Sequence, residues 1–139
     1  MHDLPNPDQL LTAVSRFLRD DAGPALGRHG DNALAYQARV AANMVDTVAR
    51  QTQLAPAADA AECQRLQGLL GLPAGHADAA DLAALNHRLA SRLADGSLDS
   101  SHPGLADHLW ATTLAKLAVD QPGYDTFQRH AAPPGSTAP

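Results

Sequence analysis

Asp31 to Leu54, DNALAYQARVAANMVDTVARQTQL, is the stretch on which the fold turns. Wound as an α-helix, it puts Leu34, Ala38, Ala41, Val45 and Val48 on one face and Val40 and Met44 on the flank. A helix apolar over so wide an arc is expected at the centre of a helical protein. Its small residues Ala38, Ala41 and Ala42 would let neighbouring helices come close. Against that surface Arg39, Asn43, Asp46 and Arg50 gather into one narrow polar stripe.

Outward from this helix the chain reads as further helices divided by Gly and Pro. Asn6-Pro7 is an N-cap followed by a first helical residue, and the helix it opens is expected to run to about Asp21. Leu10, Val14, Phe17 and Leu18 would form its buried face, and Gly23-Pro24 would stop it. Ala25–Gly30 reads as a connector, with Asp31 or Asn32 capping the central helix. Pro56 is expected to restart a third helix as far as Leu70, with Cys63, Leu66 and Leu70 on one face. Asp78 caps a fourth, Ala79–Asp95, striped by Leu82, Leu85, Leu89 and Leu93 and ended by Gly96. Ser101 caps a fifth that runs to about Asp120 and buries Leu109, Trp110, Thr113, Leu114 and Leu117. Pro122-Gly123 breaks it, and HAAPPGSTAP, His130–Pro139, has nothing to bury.

No segment alternates apolar and polar residues with period two, so no sheet is expected. The expectation is an all-α, single-domain bundle of five helices over residues 1–128, with a disordered C-terminal tail at 129–139.

Composition narrows the function classes. The chain has 139 residues, 4% aromatics and a formal net charge of −5, so its core is aliphatic and its surface acidic. That disfavours nucleic acid and anionic membranes, both of which need clustered cations. The abundance of Ala, and of Arg over the single Lys116, reads as the base composition of a GC-rich bacterium. One cysteine excludes an internal disulfide, and no basic region followed by an apolar run opens the chain, so the expected compartment is the cytoplasm.

Two constellations could carry a site. Asp46 and Arg50 stand at the spacing of a stabilising helix pair, as do Lys116 and Asp120. In the plain reading both are solvated pairs, and Tyr124 is an aromatic staple after a helix stop. In the functional reading Arg39, Asn43, Asp46 and Arg50 form a groove wall, closed at one end by Lys116, Asp120 and Tyr124, that holds an anionic ligand by guanidinium forks. The histidines do not assemble a metal set: His102 and His108 are six apart and are expected on different faces. Cys63 reads as a small core residue, and Asn86 as an amide bonded to a neighbouring carbonyl. With no complete catalytic set, no cofactor is expected and the balance leans away from an enzyme.

Two runs carry a resemblance: Arg39-Val40-Ala41-Ala42-Asn43 and Lys116-Leu117-Ala118-Val119-Asp120-Gln121-Pro122-Gly123-Tyr124. Weaker matches lie at Leu10–Arg19, at Glu62, Arg65 and Leu66 before Leu69-Leu70-Gly71, and at His108-Leu109 with Thr112 or Thr113. Over about residues 4–128 the chain resembles a bacterial family of small all-helical proteins, a domain of unknown function. The family brings no assigned activity. It implies a context: its members are similar to proteins encoded beside aminoglycoside-phosphotransferase-like kinases and acyl-CoA dehydrogenases. The implied role is an accessory or interaction protein in acyl-CoA metabolism, with such an enzyme or a second copy as partner. The alternative is a binding protein for an acyl-CoA or another anionic metabolite.

Overall fold

The computed structural model describes residues 4–72 and 79–131, and among them the chain is all helix. The elements are α1 (Pro7–Arg16), a π-helical segment (Phe17–Ala22), α2 (Gly23–Arg28), α3 (Asn32–Leu70), α4 (Ala79–Ala94), α5 (Leu105–Asp120) and α6 (Asp125–Ala131). Because α1, the π segment and α2 follow one another without a break, these make five helical runs. The chain divides into two compact units, residues 1–54 and 55–139, and α3 contributes to both.

Helix starts follow their local chemistry. Asn6 accepts from the Gln9 N–H at 2.9 Å while Gln9 Oε1 accepts from the Asn6 N–H at 2.9 Å, a reciprocal capping box. Asp31 accepts from the Leu34 N–H at 3.0 Å and opens α3.

Two expected stops do not stop the helix. Gly23-Pro24 is absorbed because the turn before it is wide: the Gly23 N–H reaches back to the Leu18 carbonyl, five residues away. That wider turn relieves the crowding a proline ring meets in an ordinary helix. The expected connector at Ala25–Gly30 is therefore mostly α2, and the reversal is made by His29, Gly30 and Asp31, with Gly30 at φ 82°. Pro56, expected to begin a new helix, lies inside the 39 residues of α3. Its missing N–H leaves the Thr52 carbonyl without its helical donor, but the flanking turns carry the helix through.

The N-terminal unit is an antiparallel helix pair. Ser15 meets Ala42, and Gly23 meets Ala35 and Ala38. A Cβ on Gly23 would stand 3.1 Å from the Leu18 carbonyl oxygen and 3.8 Å from the Ala38 Cβ, so the close crossing needs glycine there. The interface is made of small residues: Ala35, Ala38, Ala42, Ser15 and Gly23 are all buried. This corrects the expected face of the first helix. Leu10, Val14 and Phe17 are exposed, Phe17 to 58%, while Ser15 is 2% exposed. The apolar arc was wide enough to offer two faces, and the one flanking the small residues is the one that packs.

In the C-terminal unit Cys63, Leu66, Leu69 and Leu70 of α3 form a core with Leu85 and Leu89 of α4, Leu98 of the turn and Leu105 of α5. The leucine stripe of α4 serves as expected at Leu85 and Leu89, with Leu82 packed against it, whereas Leu93 is exposed. The α4 stop is also as expected: Gly96 takes φ 75°.

Helix α5 differs from its sequence reading. It starts after Gly104, at φ 83°, later than Ser101, and buries Leu105, His108 and Val119. Leu109 and Trp110, expected inside, are about half exposed. Apolar residues surround this helix, so periodicity alone could not pick the buried side. Residues 129–131, expected in the tail, complete α6, and the His130 ring meets Trp110 edge-on at 5.1 Å. The rest of that tail and the Asp78 cap lie outside the described residues.

Candidate functional site

The polar stripe of α3 answers to the first helical run. Asp46 is its centre. Its Oδ1 accepts from the Ser15 hydroxyl at 2.5 Å, and its Oδ2 accepts from Arg19 Nη2 at 2.6 Å. The Ser15 hydroxyl also stands 3.3 Å from the Ala42 carbonyl, but it has one proton, and the nearer carboxylate takes it. Arg19 Nη2 donates to Asn43 Oδ1 at 3.2 Å as well. Burial would raise the Asp46 pKa. The Ser15 and Arg19 hydrogen bonds and the charges of Arg19 and Arg50 outweigh it, and the carboxyl sits below its ordinary value.

Arg50 is half-buried and its Nη2 donates to Thr47 at 3.1 Å. Arg39 lies exposed on the outer flank. The stripe is thus neither a bare solvated face nor an open anion wall: Asn43 and Asp46 are engaged by a neighbouring helix. Sequence periodicity missed Ser15 and Arg19, since it assigned them no role.

Lys116, Asp120 and Tyr124 belong to the C-terminal unit, and all three are exposed. The Tyr124 N–H closes the Gln121-Pro122-Gly123 turn onto the Gln121 carbonyl at 3.0 Å. These residues end α5 and lead into α6.

A second polar cluster lies in the C-terminal unit, where the sequence gave little reason to look. Arg65 Nη2 donates to Thr112 Oγ1 at 3.3 Å. Asn86 Nδ2 donates to Glu62 Oε1 at 2.8 Å and to the Leu82 carbonyl at 3.2 Å, so the expected amide–carbonyl bond is joined by a carboxylate. Beside them a cleft of about 320 Å³ is lined by Arg65 and Leu69 of α3, His102 and Pro103 of the turn, and Asp107 and His108 of α5. His108 is 2% exposed. Burial, reinforced by the positive charge of Arg65 and partly offset by Glu62, holds its imidazole below the usual histidine range.

His102 and His108 share this cleft although their spacing set them apart. His102 precedes the left-handed Gly104, so helical periodicity does not connect the two residues. Among the described residues no group of three or more His, Cys, Asp or Glu is placed to hold a metal ion. No helix among them is long and apolar enough to cross a membrane.

A family model described as Domain of unknown function (DUF6285) matches residues 28–124. The chain belongs to the DUF6285 family. No curated protein and no solved structure matches the chain. The DUF6285 segment takes in α3, α4 and α5, including Asn43, Asp46, Arg65 and His108. Ser15 and Arg19 precede it, so the Asp46 network joins the DUF6285 segment to a helical run outside the match.

Proposed function

We propose that this DUF6285 protein acts without catalysis of its own, as an accessory protein that docks on a larger enzyme through its first helical run. The observation that carries this reading is the outward set of Leu10, Val14 and Phe17. These three side chains stand at helical spacing and are each about half exposed or more, while the polar Ser15 faces inward. Contiguous exposed apolar side chains of this size mark interaction surfaces. Phe17 also edges an open groove of about 640 Å³ along α1 that runs from Asn6 past Ala13. A helix laid on that groove would cover the aromatic ring. On the same hairpin α3 exposes Met44 and Val48.

The partner favoured by the resemblance is a phosphotransferase-like kinase, with an acyl-CoA dehydrogenase next; a second copy of this chain is the competing occupant. A bacterial cytoplasm and a link to acyl-CoA metabolism come with that partner. The test is co-elution of the purified protein with each purified enzyme, with light scattering of the protein alone. One 1:1 or 2:2 complex with the kinase is expected. Val14→Asp/Phe17→Asp should weaken it at least tenfold, because an aromatic anchor typically contributes about 2 kcal/mol or more. The same double variant should unfold within about 0.5 kcal/mol of the wild type, as exposed positions do. A monomer that binds neither enzyme at tens of micromolar, or binding untouched by the double variant, overturns the reading.

A further inference from the structure

The geometry points to the cleft between α3 and the start of α5 as a binding site for a small monocarboxylate, held by Arg65, His102 and His108. The observation behind this is an excess of buried donors. Arg65 Nε, His102 Nδ1 and His108 Nδ1 are each shut off from solvent and lack a hydrogen-bond partner within the protein. A buried polar atom without a partner costs about 1–3 kcal/mol, so three at one cleft is a large penalty unless something else bonds to them. His108 is itself almost wholly buried and lines the cleft, so its nitrogen is not satisfied from bulk water.

What would satisfy all three is an acceptor. Arg65 Nη2 already holds Thr112, which fixes the plane of the guanidinium and leaves Nε to bond a second oxygen. A neutral imidazole can present Nδ1 as a donor, so each histidine can give one further hydrogen bond. The amino end of α5 opens on the same cleft at Gly104, whose side no capping side chain fills. Free N–H groups and the positive helix end there add to the preference for negative charge.

The size and lining set the ligand class. At about 320 Å³ the space is at the lower limit of ligand pockets. Leu69 and Pro103 make part of its wall apolar, which suits a short aliphatic chain behind the charged head. Asp107 sits on the wall too. Its charge opposes a second negative charge, so a monoanion fits and a phosphate dianion does not.

The test uses the full chain labelled with 15N, titrated with acetate, propionate and butyrate at constant ionic strength. Chloride and inorganic phosphate serve as controls, and the imidazole 15N resonances of His102 and His108 are the readout. A saturable change of both histidines with millimolar carboxylate is expected, tightening from acetate to butyrate. Arg65→Gln should weaken it at least tenfold. His102→Gln, on an exposed turn where folding is not at stake, should weaken it severalfold and leave the His108 response saturable. The proposal is overturned by shifts that chloride reproduces, by saturation with phosphate but not carboxylates, or by carboxylate binding that both variants leave unchanged.

Discussion

Leu66→Ala is expected to destabilise the C-terminal unit by about 2–5 kcal/mol, the range for truncating a well-packed core leucine. Leu66 is 0% exposed and stands among Cys63, Leu69, Leu70, Leu85, Leu89, Leu98 and Leu105. Every one of those neighbours is anchored by its own helix or turn, so the void cannot readily collapse. Whole domains are stable by only about 5–15 kcal/mol, and the change would remove a large share of that. Urea unfolding followed by Trp110 fluorescence measures it. The midpoint should fall markedly while the slope stays constant, because the surface exposed on unfolding is unchanged. Leu93→Ala, at an exposed position of α4, is the control and should move the midpoint little. Equal effects of the two would mean the core is not where Leu66 puts it.

Asp46→Ala is expected to be the second large effect, at about 1–2 kcal/mol. It leaves the Ser15 hydroxyl buried and removes both carboxylate bonds from the helix pair. The figure is held down because the Arg19 side chain is 44% exposed and the Asp46 side chain 33%, so water screens their attraction. Ser15→Ala should cost less, since it takes away the inward hydroxyl and leaves Arg19 on the carboxylate. Arg39→Ala, at an exposed flank, should be close to neutral.

The Asp46 contribution also carries a pH signature. Its carboxyl is held below the ordinary value in the folded protein, so the folded state favours the ionised form. The added stability is fully present above the unfolded carboxyl pKa of about 3.9, and it is lost as pH falls through the lower folded value. Acid unfolding of wild type and Asp46→Asn should therefore converge at low pH and separate as pH rises past that region. A constant gap across the range would show that Asp46 acts through shape alone.

How much of this was legible beforehand depends on which physical rule decided each element. Helix ends set by local chemistry were legible: the Asn6 cap, the Asp31 cap, Gly71 and Gly96. Core positions on the strongly striped α4 and on the second half of α3 were legible as well, because Leu85, Leu89, Cys63 and Leu66 left no competing face. Where a helix was apolar on several sides the choice was made by the neighbour. The run of Ala35, Ala38 and Ala42 took in Ser15 and Gly23 and left Leu10, Val14 and Phe17 outside. Proline misled twice, since its local penalty at Pro56 and Pro24 was outweighed by the helix on either side.

Of the candidate site residues, Asn43 and Asp46 were found by their stripe, but their partners were not, because Ser15 and Arg19 come from a distant run. The cleft was illegible for a different reason. Its donors come from three pieces of chain that share no periodicity, and only the folded arrangement brings Arg65, His102 and His108 to one wall.

The widened turn at Phe17–Ala22 has a consequence for how such a chain can change length. A turn of this kind holds one residue more than the ordinary helix, and losing that residue would rotate everything beyond it by about 100°. Gly23 would then swing off the alanines and a bulkier side chain would swing onto them. The first helical run can therefore tolerate substitution on its outer side, but its residue count between Ser15 and Gly23 is fixed as firmly as the teeth between two meshed gears.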